Sequence, residues 1–131
     1  MRCDRLLLFP LALLGGCAAP AGEPSQFAEK SWRFLAIDGE KPAAQATELS
    51  FEAERIGANV GCNGMGGPWR IEDGRLIAGP LVQTKMFCEG PVWQQEQAVG
   101  ALLAGAPRVE IEGDRLVLKS SAHSAELTRA D

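Results

Sequence analysis

The sequence predicts a mainly β domain, a small antiparallel barrel-like sheet of about eight strands with one amphipathic α-helix. Three observations lead there. Short segments of alternating apolar residues run from residue 31 to residue 129, broken by turns containing glycine, proline and aspartate. Two echoing hexapeptides, IEDGRL (71–76) and IEGDRL (111–116), each set a two-residue Asp/Gly turn between Glu and Arg, the composition of a tight hairpin. One stretch alone, Pro91 to Gly105, abandons the period of two.

In chain order the period-2 segments are SWRFLAI (31–37), TELSFEA (47–53), RIGANVGC (55–62), GPWRIE (67–72) and RLIAGPLVQT (75–84). After the non-β stretch come RVEIE (108–112), RLVLK (115–119) and SAELTR (124–129). The hairpins fix their own register. With Asp73-Gly74 at the tip, Glu72 faces Arg75, Ile71 faces Leu76 and Trp69 faces Ala78, so Trp69, Ile71, Leu76 and Ala78 share one face. With Gly113-Asp114 at the second tip, Ile111 faces Leu116, Val109 faces Leu118, and Glu112 with Arg115 form a pair on the solvent side. PVWQQEQAVGALLAG opens with proline and sets Val92, Val99, Leu102, Leu103 and Ala106 on one broad stripe, as a helix requires. Many short strands must close or be covered, so the helix is expected to plug or cover an opening of the sheet.

The run Gly61-Cys62-Asn63-Gly64-Met65-Gly66-Gly67 follows a strand in which Ile56, Ala58, Val60 and Cys62 alternate onto the inner face. Its glycines run into Pro68-Trp69 and a strand, not into a helix N-terminus, so they form a sharp corner and not a phosphate loop. Asn63 is expected to bond local backbone there. Alternation places Thr84 and Met86 together as packing partners beside the corner, with Lys85 on the opposite face.

The N-terminus carries an address. Arg2 and Arg5 precede the apolar run 6–14, too short to span a bilayer, and small residues follow it, the layout of a secretory signal over residues 1–16. Leu14-Gly15-Gly16-Cys17 resembles a bacterial lipobox, which implies cleavage before Cys17 and its lipidation. Ala18 in place of aspartate favours the outer membrane by the lipoprotein sorting pattern, with the domain facing the periplasm. Several acyl chains, at about 0.8 kcal/mol per buried methylene, hold a small domain without a spanning helix. Residues 18–26 (AAPAGEPSQ) complete a lipidated, flexible tether over 17–26, and the domain occupies 27–131.

Cleavage leaves 115 residues with 11 basic and 16 acidic side chains, a net charge of −5. The basic residues are scattered, so the counterion-release term that drives nucleic-acid binding has no footing. Cys3 leaves with the signal and Cys17 takes lipid, so Cys62 and Cys88 remain as an even pair in an oxidising compartment. A disulfide, two buried thiols and half a metal site are the open readings, with export favouring the first. His123 is the lone histidine, and no C-x-x-C or H-x-x-x-H spacing exists, so no metal or other cofactor is expected.

The motifs GCNGMGG, LIAGPLVQTKMFC (76–88) and WQQEQAVGALL (93–103) together resemble the META domain, also called the HslJ-like heat-shock protein family. The resemblance spans about residues 28–129. It implies signature positions at Gly61, Cys62, Asn63, Gly66, Gly79, Pro80, Thr84, Met86, Cys88 and Glu96, and Trp32 also fits. It further implies a barrel-like domain with one helix, exported or lipid-anchored in Gram-negative bacteria and associated with heat or envelope stress and antibiotic tolerance. No catalytic reaction comes with it.

The residues agree with that absence. His123 in SSAHSA reads as a loop-tip residue, Ser120, Ser121 and Ser124 form no triad by adjacency, and no nucleophile elbow or metal motif occurs, so no catalytic residue is expected. The expected function is a lipid-anchored envelope module acting through its surface, with an unidentified envelope partner. The alternative is a carrier of a small apolar ligand inside the barrel, although the inferred inward residues Trp69, Ile71, Leu76, Ile111 and Leu116 are large enough to fill it.

Overall fold

Residues 26–130 are described by the computed structural model. They form β1 (Lys30–Ile37), β2 (Glu48–Phe51), β3 (Arg55–Asn59), β4 (Gly64–Glu72), β5 (Arg75–Ala78), β6 (Val82–Gln83), α1 (Gly90–Ala104), β7 (Arg108–Glu112), β8 (Arg115–Lys119) and β9 (Ser124–Arg129). The expected signal, Cys17 and all of the tether but Gln26 lie outside the described residues.

Strands pair in the order β3-β2-β1-β9-β8-β7-β5-β4, and β4 pairs again with β3, which closes an eight-stranded antiparallel barrel. The nine-residue β4 makes the closure possible, because Gly64 to Pro68 lie against β3 while Trp69 to Glu72 lie against β5. The two-residue β6 adds to β4 through Met65–Gln83 and Gly66–Val82. Closure leaves the barrel strands without open edges.

Both hairpin registers are as the turn chemistry predicts: Glu72–Arg75, Ile71–Leu76 and Trp69–Ala78 in one, Ile111–Leu116 and Val109–Leu118 in the other. Glu112 and Arg115 form the expected pair on the solvent side. The Arg115 guanidinium also reaches Glu126 on the neighbouring β9, at 3.1 Å. A strand with neighbours on both sides offers a long side chain partners that a hairpin considered alone does not.

A correction concerns the glycine run. The bend occupies only 60–63, and Gly64, Met65, Gly66 and Gly67 already belong to β4. Their glycines serve close approach within the sheet. A Cβ on Gly66 would stand 2.8 Å from the Ile56 carbonyl oxygen, and one on Gly67 would run into the Pro80 carbonyl. Gly61 is the residue that turns the corner: its φ is +129°, and a Cβ there would meet Ala44 at 2.7 Å and Val92 at 3.1 Å. The expected strand RLIAGPLVQT is likewise two strands, β5 and β6, separated at the cis Gly79–Pro80 bond.

The barrel interior is filled by Trp32, Phe34, Leu49, Phe51, Ile56, Leu76, Leu116, Leu118 and Leu127, all buried. Trp69, Ile71, Ala78 and Ile111 pack against this core as partly buried residues. Phe27, Phe51 and Trp69 form an aromatic triangle with centroid separations of 5.2, 6.2 and 4.9 Å, which ties Phe27 into the core. Helix α1 covers the barrel by adding Ala98, Val99, Leu102 and Leu103 to the same core. It starts one residue earlier than expected, with Pro91 in its first turn, and Ala106 lies beyond its end.

Candidate functional site

The corner between β3 and β4, the segment 82–88 and the first turns of α1 converge at one end of the barrel. Cys62 and Cys88 are bridged there by a disulfide with Cα atoms 6.4 Å apart. Ile56, Ala58 and Val60 point into the core as their alternation requires, but Cys62 follows the end of β3 and is only half-buried, turned toward the partner cysteine.

Asn63 is the centre of the site, 2% exposed. Its Oδ1 accepts from the Thr84 hydroxyl at 2.8 Å and from the Met86 N–H at 2.7 Å. Its Nδ2 donates to the Met86 carbonyl at 3.2 Å and to Glu96 Oε2 at 2.9 Å. The expected local turn bond is therefore corrected. The asparagine reads residues 21 to 33 positions away, because the amide's two ends match the N–H and C=O of a single residue, Met86, much as a neighbouring strand would.

Glu96 is 1% exposed, and three N–H groups converge on its carboxylate: Asn63 N on Oε1 at 2.8 Å, and Asn63 Nδ2 at 2.9 Å with Gln83 Nε2 at 2.7 Å on Oε2. Buried carboxylates need such donors, since desolvation without them costs several kcal/mol. One helical position earlier, Gln95 plays the same part for the β1–β2 loop, accepting from Ala43 N at 2.8 Å and donating to the Lys41 carbonyl at 2.9 Å. Neither role followed from the apolar stripe. The readable signal was a Gln-Glu pair falling on the buried side of that stripe.

Thr84 and Met86 are not packing partners, as alternation had implied. The segment 84–89 is no strand, the Met86 side chain is 57% exposed, and both residues act through hydrogen bonds to Asn63. Thr84 adds a bond from Gly64 N to its hydroxyl at 3.1 Å. Beside Met86, Phe87 is 85% exposed and Trp93 on α1 is 40% exposed. Disulfide and asparagine clasp thus hold an apolar tip out into solvent. Gly79 and Pro80 stand apart from this network, in the turn whose Pro80 carbonyl lies against Gly67.

His123 lies in the β8–β9 connection, its Nδ1 2.8 Å from Asp38 Oδ2. Partial burial pushes the Asp38 carboxyl up, but the His123 hydrogen bond, the Ser124 N–H at 2.9 Å and the attraction of the imidazole outweigh it and hold the group below its ordinary value. Ser120 bonds the backbone of His123 and not its ring. Among the described residues the ring therefore meets a carboxylate and no hydroxyl, an arrangement that staples a loop.

The sequence profile of the META domain matches residues 25–131. The chain belongs to the META domain family. Its fold is shared with a protein solved by NMR, at TM-score 0.73 and 21% identity over 83% of this chain and 96% of that one. A protein from Burkholderia xenovorans, also solved by NMR, matches at TM-score 0.65 and 22% identity over 93% and 99% of the two chains. The crystal structure of a DUF4847 family protein from Bacteroides vulgatus matches at TM-score 0.57 and 12% identity over 82% and 99%. At these identities the likeness is one of fold. No curated protein matches the chain. In this META domain the disulfide, Asn63, Thr84, Met86 and Glu96 form one connected cluster, while Gly61 and Gly66 provide the close backbone approaches around it.

Proposed function

We propose that this META domain is a lipid-anchored module of the bacterial cell envelope, sorted to the outer membrane, that supports tolerance of heat, envelope stress and apolar antibiotics by engaging another envelope protein. One observation carries the surface part of this reading. The most elaborate polar network of the described residues is centred on Asn63 and fixes a loop whose Met86 and Phe87 side chains face solvent. Large apolar side chains grouped at the surface mark sites of interaction with a partner. META is not a known enzyme family, and among the described residues the Asp38–His123 pair meets no hydroxyl that would complete a catalytic triad. The carrier reading would need room inside the barrel, where Trp32, Phe34, Leu49 and Phe51 stand.

The experiment is site-specific photo-crosslinking in intact cells, with the photoreactive residue at position 87 and, as a control, at Glu110 on the far hairpin. The expected result is a discrete protein adduct from position 87 alone, lost on Cys17→Ser. Equal labelling from both positions, together with a Phe87→Ala strain as drug- and heat-tolerant as its parent, would refute the surface reading.

A further inference from the structure

We infer that Cys62, Cys88 and Glu96 form a zinc site when the disulfide is reduced, with metal and disulfide as mutually exclusive states of one corner. The sequence offers no metal-binding spacing, because the third ligand comes from a helix 33 residues beyond the corner asparagine. The fold brings the two Sγ atoms and a Glu96 carboxylate oxygen within 4.8 Å of one another. Tetrahedral zinc bound at about 2.3 Å to sulfur and about 2.0–2.2 Å to oxygen holds its ligand atoms roughly 3.5–3.8 Å apart. Once the S–S bond is broken the two sulfurs can part to that distance while their Cα atoms stay near 6.4 Å.

Two further observations point to a cation. Glu96 is buried, yet among the described residues its recorded partners are amide N–H groups and no Lys, Arg or His ion pair. A disulfide is neutral and does nothing to offset that charge, whereas a dication does. Asn63 Nδ2 also lies 2.9 Å from Glu96 Oε2 and 3.4 Å from Cys88 Sγ, so one amide orients two of the three ligands, as outer groups do around metal sites. Oε1 accepts only Asn63 N, which leaves it a lone pair for the metal. Both cysteines are half-buried, so water can reach the fourth position.

The chemistry balances with a dithiol-class reductant. Two electrons and two protons pass from the dithiol to the Cys62–Cys88 bond, leaving two thiols and an oxidised, cyclic disulfide product. Zinc then replaces both thiol protons, which are released to solvent, and Glu96 donates an oxygen lone pair without proton transfer.

The test uses the full chain with Cys3→Ser and Cys17→Ser, reduced by a water-soluble phosphine that does not compete for the metal as dithiols do. Native mass spectrometry with zinc, and optical titration with cobalt(II) as its spectroscopic substitute, should show one ion per reduced chain with thiolate-to-cobalt charge-transfer bands. The oxidised chain should bind none, and Cys88→Ser should remove the bands. Glu96→Gln should weaken binding at least tenfold. Because that variant can also lose the fold, infrared difference spectra of the unsubstituted chain are the second measurement, and zinc should displace one carboxylate stretch. Uptake by Cys88→Ser equal to the reduced parent, one ion shared by two chains, undiminished binding by a folded Glu96→Gln, or no displaced carboxylate band would each overturn the assignment.

Discussion

Replacing Asn63 by alanine should be among the most damaging single changes outside the hydrophobic core. The substitution deletes five side-chain bonds, to Thr84 Oγ1, Met86 N, Met86 O, Glu96 Oε2 and, as a weak fifth at 3.4 Å, Cys88 Sγ. The first three are part-buried bonds to Thr84 and the Met86 backbone, and each loss costs about 0.5–1 kcal/mol. The fourth leaves a buried carboxylate one donor short, which costs about 1.5–3 kcal/mol. The sum is about 3–6 kcal/mol, against the 5–15 kcal/mol that a domain of this size possesses in total. In urea, with a slope of roughly 1.5–2 kcal/mol per molar, the midpoint should fall by about 2–3 M. Reduction of the disulfide should itself cost roughly 3–4 kcal/mol, from the loop entropy of a 26-residue separation. The two changes loosen the same segment, since without the bridge residues 84–88 can detach locally and no longer transmit the lost bonds to the barrel. Asn63→Ala should therefore cost at least about 1 kcal/mol less in the reduced protein than in the oxidised one. An Asn63→Ala cost below 1 kcal/mol, or full additivity with reduction, would refute this account of the corner.

Three further outcomes follow from particular contacts. Gly100→Ala on α1 should stabilise the domain by about 0.5–1 kcal/mol in chemical denaturation, because a Cβ there meets only Met65 Sδ at 3.9 Å, whereas Gly67→Ala, blocked by the Pro80 carbonyl, should destabilise by about 2 kcal/mol or more. Trp32→Phe should stay within about 1 kcal/mol of the parent by thermal melting, since the lost packing is offset by removing an indole N–H that has no partner among the described residues. Asp38 has a carboxyl held below its ordinary value of 3.8, so its contribution is complete above the unfolded pKa and vanishes as pH falls through the lower folded one. Denaturation at stepped pH should thus show wild type more stable than Asp38→Asn above about pH 5, with the gap closing below about pH 4.

The barrel was legible where information is local. Asp73-Gly74 and Gly113-Asp114 set two registers through turn chemistry, and the helix stood out because its period differs from everything around it. The site was legible only as a set of residue identities, through family resemblance. Its geometry was not, because Asn63 bonds partners 21 to 33 residues away, and such bonds leave no period in the sequence. The glycine run misled for a related reason: whether a glycine turns the chain or lets a second strand approach depends on what lies opposite, here Ile56 and Pro80.

The pairing of β1 with β2 and β9 gives the domain a polarity. Lys30 stands opposite Phe51 and Trp32 opposite Arg129, so both described ends of the chain leave from the rim that carries the β2–β3 turn. Glu48, Asn59 and Gly64, the residues nearest the disulfide corner, align across the other rim. The described ends of the chain and the disulfide corner that carries Phe87 therefore belong to opposite rims of the barrel.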